Sequence, residues 1–299
     1  SAPWPPRSIR IVVAYPAGGV SSDVARELAR ALERQLGVTV IVEHRPGAGG
    51  TLAMAVVARS APDGATLCFS AITPLTLAPW LEPVPYDPAR DLAAVFPVMA
   101  TPLLVLGTAA LKADSLAGML AFARRAPGQI RWATSGLGTT GHLVLERVAA
   151  AAGVTITHVP YKGGGQQLTD ALGSHFEVLS SNVAATQLRL VRDGRLKPLA
   201  VSGIARSRAL PDVPTLGELG FADANQVSVF GLFAPGGISA AMLDRLNGAF
   251  ATAWRDPALQ RRLIETNNLP LGGSAAAFAR LVAEEREAHR AWLARAGRR

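Results

Sequence analysis

Hydrophobic and polar positions along the chain follow a repeating strand–helix pattern. Short β-branched apolar runs predict buried strands at Ile9–Ala14 and Val38–Val42. Between them, apolar residues recur at helical spacing over Val24–Leu36, and Gly37 is placed to end that helix in the left-handed conformation. The first 42 residues therefore predict a strand, an amphipathic helix and a second strand.

The same pattern continues through the middle of the chain and ends in helices. An alternation of this kind is typical of an α/β protein with mostly parallel sheets flanked by helices. After the last predicted strand the chain reads as helical up to Ala296. Further helices are predicted at Leu52–Ser60, Ser115–Arg125, Leu143–Ala152, Gln167–Leu172 and Ala184–Arg192, and further strands at Ala65–Phe69, Ile130–Ala133, Thr155–Val159, Phe176–Leu179, Lys197–Val201 and Val227–Phe233.

Two stretches could carry the chain from one lobe to another: Val98–Leu106, and the segment after Glu218-Leu219-Gly220. If both are crossovers, the first lobe is discontinuous, with residues 1–102 and 226–299, and the second lobe is 103–225. We therefore expect a hinged two-lobe protein with its ligand cleft between the carboxyl ends of two sheets.

Composition supports a folded globular protein and argues against membrane spans. About half of the 299 residues are apolar and 17% are charged. The uncharged stretches Ala65–Leu81 and Val95–Leu111 fall short of the roughly 20 apolar residues a span needs and contain prolines, so we interpret them as buried strands with loops. The single cysteine, Cys68, lies in an apolar run and predicts a buried thiol. The start at Ser1 fits either a mature form or a chain that never had a secretion signal.

The net charge of +8 raises the question of a nucleic-acid partner. Phosphate binding favours clustered Lys and Arg with interleaved aromatic residues. Here the arginines often stand beside acids, as in Arg26-Glu27, and the densest cluster, Arg295–Arg299, is interpreted as an exposed tail. We expect no nucleic-acid partner, but a basic surface that helps to attract an anion.

A glycine-rich loop, Tyr15–Asp23, joins the first strand to the first helix. Glycines allow a ligand to approach the backbone, and a helix start offers unpaired N–H groups and the positive end of the dipole. Ser21 and Ser22 add hydroxyl groups, and Ser22 or Asp23 is a candidate helix cap. The loop is either a carboxylate cradle or an ordinary strand-to-helix turn.

A second loop of the same build, Thr134–His142, satisfies G-x-G-x-x-G through Gly136, Gly138 and Gly141. This raises the alternative of a nucleotide-dependent enzyme. A dinucleotide fingerprint also needs an acidic residue about 20 positions later, and the segment His158–Gly163 contains none. The loop therefore favours anion binding over dinucleotide binding.

Other constellations give little sign of catalysis. The segment Lys162–Gln167 lacks the ending of a P-loop, and Lys162 is either a cation facing the cleft or a solvated surface lysine. The five histidines show no metal-binding spacing, and no nucleophile-elbow motif occurs. We therefore expect a binding protein without cofactor or metal, not an enzyme.

A series of short motifs runs in order along nearly the whole chain. The motifs are YPAGG, VEHRPGAGG, APDGATL, PYDPARDLA, ATSGLGTTGHL, HVPYKGGG, GRLKPLAVSG, RALPDVPTLGELG and FGLFAPGG. With these motifs in this order, the chain resembles the Bug receptors, the extracytoplasmic binding proteins of tripartite tricarboxylate transporters.

The resemblance implies a Venus-flytrap fold, secretion to the periplasm and capture of a small carboxylate by the two loops. It also implies delivery to transporter membrane subunits, or to a sensor kinase; we expect a monomer. The expected ligand-binding residues are Gly18, Gly19, Val20, Ser21, Ser22, Ser70, Ala71, Ile72, Thr73, Ser135, Gly138, Thr139, Thr140, Lys162, Ser181 and Asn182.

The chain departs from the family pattern at two positions. Ser22 stands where the family usually has an aspartate, three positions before the Ala25-Arg26 pair. Ser181-Asn182 stands where the family often has an Asp-Asn or Asp-Ser pair. An aspartate at this position would suit a ligand with an amine. Because the chain has none there, an amino-acid ligand is a less favoured hypothesis.

Overall fold

The structure is a computed structural model that describes residues 3–297. It divides into two compact units, one formed by Ser1–Ala100 with Val229–Arg299 and the other by Thr101–Ser228. The sequence placed the boundaries a few residues away, at 102/103 and 225/226, and the lobe boundaries remain a prediction. Ser1 and the last two arginines of the Arg295–Arg299 cluster lie outside the described residues.

Eleven strands and eleven α-helices are found within residues 3–297. The strands are β1 (Ser8–Val13), β2 (Thr39–His44), β3 (Thr66–Ala71), β4 (Leu92–Thr101), β5 (Leu103–Gly107), β6 (Arg131–Thr134), β7 (Thr157–Pro160), β8 (Val178–Asn182), β9 (Lys197–Val201), β10 (Ser228–Pro235) and β11 (Leu269–Pro270). The helices are α1 (Val20–Leu36), α2 (Thr51–Ala58), α3 (Thr73–Thr76), α4 (Ala78–Leu81), α5 (Leu116–Arg125), α6 (Thr140–Ala152), α7 (Gly164–Leu172), α8 (Ala185–Arg192), α9 (Ala240–Trp254), α10 (Pro257–Glu265) and α11 (Ala275–Arg295).

The first unit is built on a six-stranded sheet in the order β11-β4-β10-β3-β1-β2. β1 pairs in parallel with β2 and β3, whereas β10 runs antiparallel to β3. Successive side chains of β1 point to opposite faces: Ile9, Ile11 and Val13 join one buried cluster, and Val12 joins the other. Both faces of this sheet are therefore covered, as the continuous apolar run predicts.

The second unit is built on a five-stranded sheet in the order β7-β6-β8-β5-β9. β6 pairs in parallel with β7 and β8, and β5 runs antiparallel to β8 and β9. On β5, Leu104 and Leu106 pack into one core cluster and Val105 packs into the other. Helices cover both faces of this sheet too.

The two-lobed α/β fold of periplasmic binding proteins is confirmed, and the sheets prove to be mixed. The expectation of mostly parallel sheets overstated the parallel pairing, because β4, β5 and β10 lie at the chain crossovers and pair antiparallel with their neighbours. The predicted crossover Val98–Leu106 is two strands separated only by Pro102. β4 and β5 are buried on both faces, so they show no alternation that would mark where each strand begins and ends, although the sequence indicated buried strands in Val95–Leu111.

The two uncharged stretches are accounted for by strands and short helices of these units. Ala65–Leu81 contains β3, α3 and α4, and Val95–Leu111 contains most of β4 and all of β5. No helix within residues 3–297 is long and apolar enough to cross a membrane. Cys68 is fully buried on β3 in the first unit, and burial raises the pKa of its thiol.

Candidate functional site

The first glycine loop lies at the carboxyl edge of three parallel strands. β1, β2 and β3 run in the same direction, so their last residues meet at one edge of the sheet. The loop follows β1, His44 ends β2, and Ser70 and Ala71 end β3. The predicted residues of the first unit, from Gly18 to Ser22 and from Ser70 to Thr73, are thus brought to one edge.

Helix α1 begins without a side-chain cap. Its N-cap is Gly19, which has no side chain to accept a hydrogen bond, so the first-turn N–H groups of Val20, Ser21 and Ser22 remain without a partner within residues 3–297. The N–H of Asp23 is the first to bond, to Gly19 O at 3.1 Å. The expectation that Ser22 or Asp23 caps this helix is therefore wrong, because the helix starts earlier than the apolar spacing indicates.

Ser22 is instead held inside the first unit by His44. Its Oγ lies 2.8 Å from His44 Nε2, and the side chain is fully buried. Burial, followed by the nearby Arg26, lowers the pKa of His44 below its ordinary value. An uncharged His44 thus positions the Ser22 hydroxyl and removes it from the set of exposed donors.

Tyr15 ties the loop to β3, a role that the sequence did not reveal. Its hydroxyl accepts a hydrogen bond from the Ala71 N–H at 3.3 Å, and burial raises the pKa of Tyr15 to about 12. The N–H of Ile72 donates to Val229 O at 2.9 Å. The backbone donors of Ala71 and Ile72 are therefore occupied within the unit, and Ser70, Ala71, Ile72 and Thr73 are all buried.

The second glycine loop lies at the corresponding edge of the second sheet. β6, β7 and β8 are mutually parallel, so the loop after β6 shares this edge with Lys162, which follows β7, and with Ser181 and Asn182, which end β8. Ser135 is partly exposed within the loop. The structure thus brings together the predicted residues of the second unit as well.

Hydrogen bonds within the second loop fix its shape. The Thr139 side chain caps α6, accepting from the His142 N–H at 3.4 Å and donating to Gly136 O at 2.7 Å. The Gly138 N–H donates to His142 Nδ1 at 3.1 Å. Two groups predicted to hold the ligand, the Gly138 N–H and the Thr139 hydroxyl, are therefore engaged inside the loop.

The donors left open in this loop are those of the first turn of α6. The N–H groups of Thr140 and Gly141 find no partner in the described chain, as expected for the first positions of a helix. Gly141 packs closely on β8, where a Cβ would lie 2.7 Å from Ser180 Oγ. Ser180 Oγ also donates to Gly141 O at 3.0 Å, so the helix start is anchored to the sheet.

The remaining predicted residues form an uncharged group and one exposed cation. Ser181 Oγ accepts from Gln187 Nε2 at 2.9 Å, and Asn182 is partly exposed beside it. Lys162 is exposed, and no hydrogen bond or ion pair of its amine is found in residues 3–297. Whether each of these residues contacts a ligand stays a prediction.

A stacked pair of histidines lies beneath the second loop. The rings of His142 and His158 are nearly parallel, with centroids 4.2 Å apart. His158 Nε2 lies 2.6 Å from Thr134 Oγ1, the residue from which the loop starts. Burial, and then the neighbouring His142, lower the pKa of His158 to about 4, although Glu146 acts in the opposite direction.

Comparison with known proteins identifies the family. Residues 24–297 match the family model described as the tripartite tricarboxylate transporter family receptor. The protein BugT of Bordetella pertussis is 36% identical over 246 residues, which cover 82% of this chain and 75% of BugT. The chain belongs to this receptor family. It is a Bug-type solute-binding receptor, as the sequence resemblance indicates.

Solved structures support the same assignment for the receptor. The periplasmic binding protein BugD is 27% identical, with a TM-score of 0.89 over 98% of this chain and 99% of BugD. The R. palustris protein Rpa4515, solved with adipate, is 30% identical, with a TM-score of 0.89 over 99% of both chains. Because the family is one of solute-binding receptors, it does not support the nucleotide-dependent enzyme suggested by Gly136–Gly141.

The cap of α6 gives a prediction about stability. Thr139→Ala removes the side-chain cap and should lower the free energy of unfolding of the receptor by about 1 kcal/mol. Thr139→Ser keeps the hydroxyl oxygen, so its free energy of unfolding should stay close to that of the parent. Urea unfolding followed by circular dichroism measures both variants. Equal stability of the Ala and Ser variants would show that the cap contributes nothing.

The lowered pKa of His158 gives a prediction about pH. The unfolded chain takes up this proton near pH 6.5, but the folded chain only near pH 4, so stability is lost as the pH falls through this window. Because the ring is partly exposed, we expect a loss of about 1 to 2 kcal/mol rather than the full linkage value.

His158→Gln should reduce this pH dependence because it keeps a nitrogen donor but does not titrate. The measurement is urea unfolding of both proteins at intervals from pH 7.5 to pH 4. The difference between the two stability curves isolates the His158 contribution from other titrating groups. Parallel curves for the two proteins over this range would contradict the prediction.

Proposed function

We propose that this receptor captures a small organic carboxylate in the periplasm, with both glycine loops holding the ligand. It then presents the ligand to the membrane subunits of a tripartite tricarboxylate transporter, or to a sensor kinase, as a monomer. The observation that carries this proposal is the uncapped start of α1, with three first-turn N–H groups open at the carboxyl edge of β1. Support also comes from Rpa4515, a relative by structure that was solved with adipate.

Backbone N–H groups at a helix start suit a carboxylate for two physical reasons. They are unpaired donors that point along the helix axis, and the helix dipole places a partial positive charge at the same end. Gly19 supplies no competing side-chain acceptor for α1. At α6 the Thr139 cap uses only the His142 N–H and leaves Thr140 and Gly141 open. Each loop can thus hold an anion without an arginine.

The part of the ligand that lies beyond the bound carboxylate should lack an amine. The group at the end of β8 consists of Ser181, Asn182 and the Gln187 amide, and it carries no carboxylate. Burying an ammonium group against uncharged neighbours costs free energy because its hydration is not replaced by a counter-charge. We therefore propose dicarboxylates or aromatic acids, and not acidic amino acids, as ligands.

A thermal-shift panel tests the ligand class. Adipate, malate, succinate, citrate and benzoate are compared with aspartate and glutamate, because a ligand that binds only the folded receptor raises the melting temperature by mass action. We expect a shift with at least one of the acids without an amine and a larger shift with succinate than with aspartate. Preferential stabilisation by aspartate or glutamate would overturn the proposal that the ligand lacks an amine.

A proline substitution at the first position of α1 tests the backbone cradle. Val20→Pro deletes one open N–H, yet proline is favoured at this position, and the extended Gly19 (φ −89°, ψ 172°) is compatible with a following proline. Loss of one charge-assisted hydrogen bond should cost roughly 1.5 to 3 kcal/mol. This corresponds to a carboxylate dissociation constant about 10 to 150 times larger, measured by calorimetric titration.

Two control variants separate loss of the donor from other effects. Val20→Ala shortens the side chain but keeps the N–H. Ala240→Pro makes the same change at the exposed first position of α9, whose N-cap Ser239 is also extended (φ −70°, ψ 152°). Both controls should bind the carboxylate as the parent does. If Val20→Pro binds as tightly as Val20→Ala, the start of α1 is not part of the site.

A further inference from the structure

The second loop contains a buried histidine whose hydrogen bonds define its tautomer. His142 is 5% exposed, and its Nδ1 accepts the hydrogen bond from the Gly138 N–H at 3.1 Å. A ring nitrogen that accepts cannot carry a proton, so the proton of the neutral ring resides on Nε2. Nε2 faces Glu146 Oε1 at 3.2 Å, one helical turn further along α6, which stabilises this tautomer.

This hydrogen bond controls which way the Leu137–Gly138 peptide faces. Gly138 adopts φ 72°, and its N–H points into the unit towards His142. Gly136 O is also turned inward, where it accepts from Thr139 Oγ1 at 2.7 Å. The Gly138 N–H and Gly136 O both lie shortly before Thr140, where the open N–H groups of α6 begin. Because the N–H and C=O of a trans peptide point in opposite directions, the bond to His142 turns the Leu137 carbonyl away from that ring, whereas the inward Gly136 carbonyl belongs to the preceding peptide and is held by Thr139. The two bonds together fix the backbone that leads into the open first turn of α6.

The ring itself is held from two sides. His158 stacks against it with the ring planes 6° from parallel, and His158 is in turn fixed to Thr134. The backbone of His142 belongs to the first turn of α6, where its N–H binds the Thr139 cap. Nδ1 is consequently a fixed acceptor at the base of the loop.

We propose that His142 is a positioning residue for anion binding: through Nδ1 it fixes the Gly138 peptide and so holds in place the backbone that leads into the open first turn of α6. This inference rests on the proposed function and adds a specific residue to it. His142 touches no ligand in this scheme. It acts through the loop, and the acceptor at Nδ1 is the atom that matters.

A matched pair of variants isolates that acceptor. His142→Asn places Oδ1 where Nδ1 stood, whereas His142→Leu has the same branched skeleton with a methyl group at that point. Both lose the ring, the stack and the contact with Glu146, so they differ chiefly in the acceptor offered to Gly138. In calorimetric titrations with adipate, we expect Asn to bind within about threefold of the parent, and Leu at least about tenfold more weakly because the Gly138 N–H has lost its partner.

A spectroscopic measurement on the ligand-free receptor provides a second test. In nitrogen–proton spectra, the Gly138 amide should resonate downfield in the parent and in His142→Asn, and should move upfield in His142→Leu. The imidazole nitrogens of the parent should show the tautomer protonated at Nε2. Melting temperatures of the variants are recorded so that affinities are compared only between folded proteins.

The outcomes are separable from those of the proposed function. Equal adipate affinity in the two variants, or the same Gly138 amide shift in both, would overturn the role of His142. If the parent binds no acid of the panel, the proposed function fails. In that case the amide shifts and the tautomer still decide whether His142 orients the loop.

Discussion

The unpaired N–H groups in the first turn of a helix are the constraint on which both loops depend. A buried parallel strand that runs directly into a helix leaves these groups at the carboxyl edge of the sheet, where the helix dipole adds positive potential. The chain builds this arrangement twice, at α1 and at α6. Gly19 leaves the first helix uncapped, whereas Thr139 caps the second and leaves only its first two donors open.

The hydroxyl groups near both loops maintain the shape of the backbone. Ser22 is bonded to His44, Tyr15 to the Ala71 N–H, and Thr139 to Gly136 O. Each is turned into its own unit and is largely removed from water. The two loops therefore share one arrangement: side-chain hydrogen bonds fix the loop, and backbone N–H groups remain unpaired in the described part of the chain. A histidine takes part in these hydrogen bonds in both units: His44 contacts Ser22, His142 accepts from the Gly138 N–H, and His158 contacts Thr134.

Sequence reasoning predicted most strands and helices because their apolar patterns are set by burial in two packed cores. It interpreted Val95–Leu111 as buried strands with loops but did not place the ends of β4 and β5, since strands buried on both faces carry no alternation. It also misjudged the start of α1. The first turn of that helix lies at the loop rather than over the core, so apolar spacing from Val24 onward gives no sign of it. Hydrogen bonds such as that between Gly138 and His142 depend on loop dihedrals, which residue types leave open.

Under the proposed function, the motifs that identify the family determine how the carboxylate is held more than which ligand is chosen. Gly138 is constrained by its positive φ, and Gly141 by the close approach of Ser180. A change at either position would displace the backbone donors themselves. The residues at the end of β8 face no such backbone constraint, since in the proposed function Ser181 and Asn182 act through their side chains. Substitution there can alter the ligand while the grip is kept, which is compatible with a TM-score of 0.89 to Rpa4515 at only 30% identity.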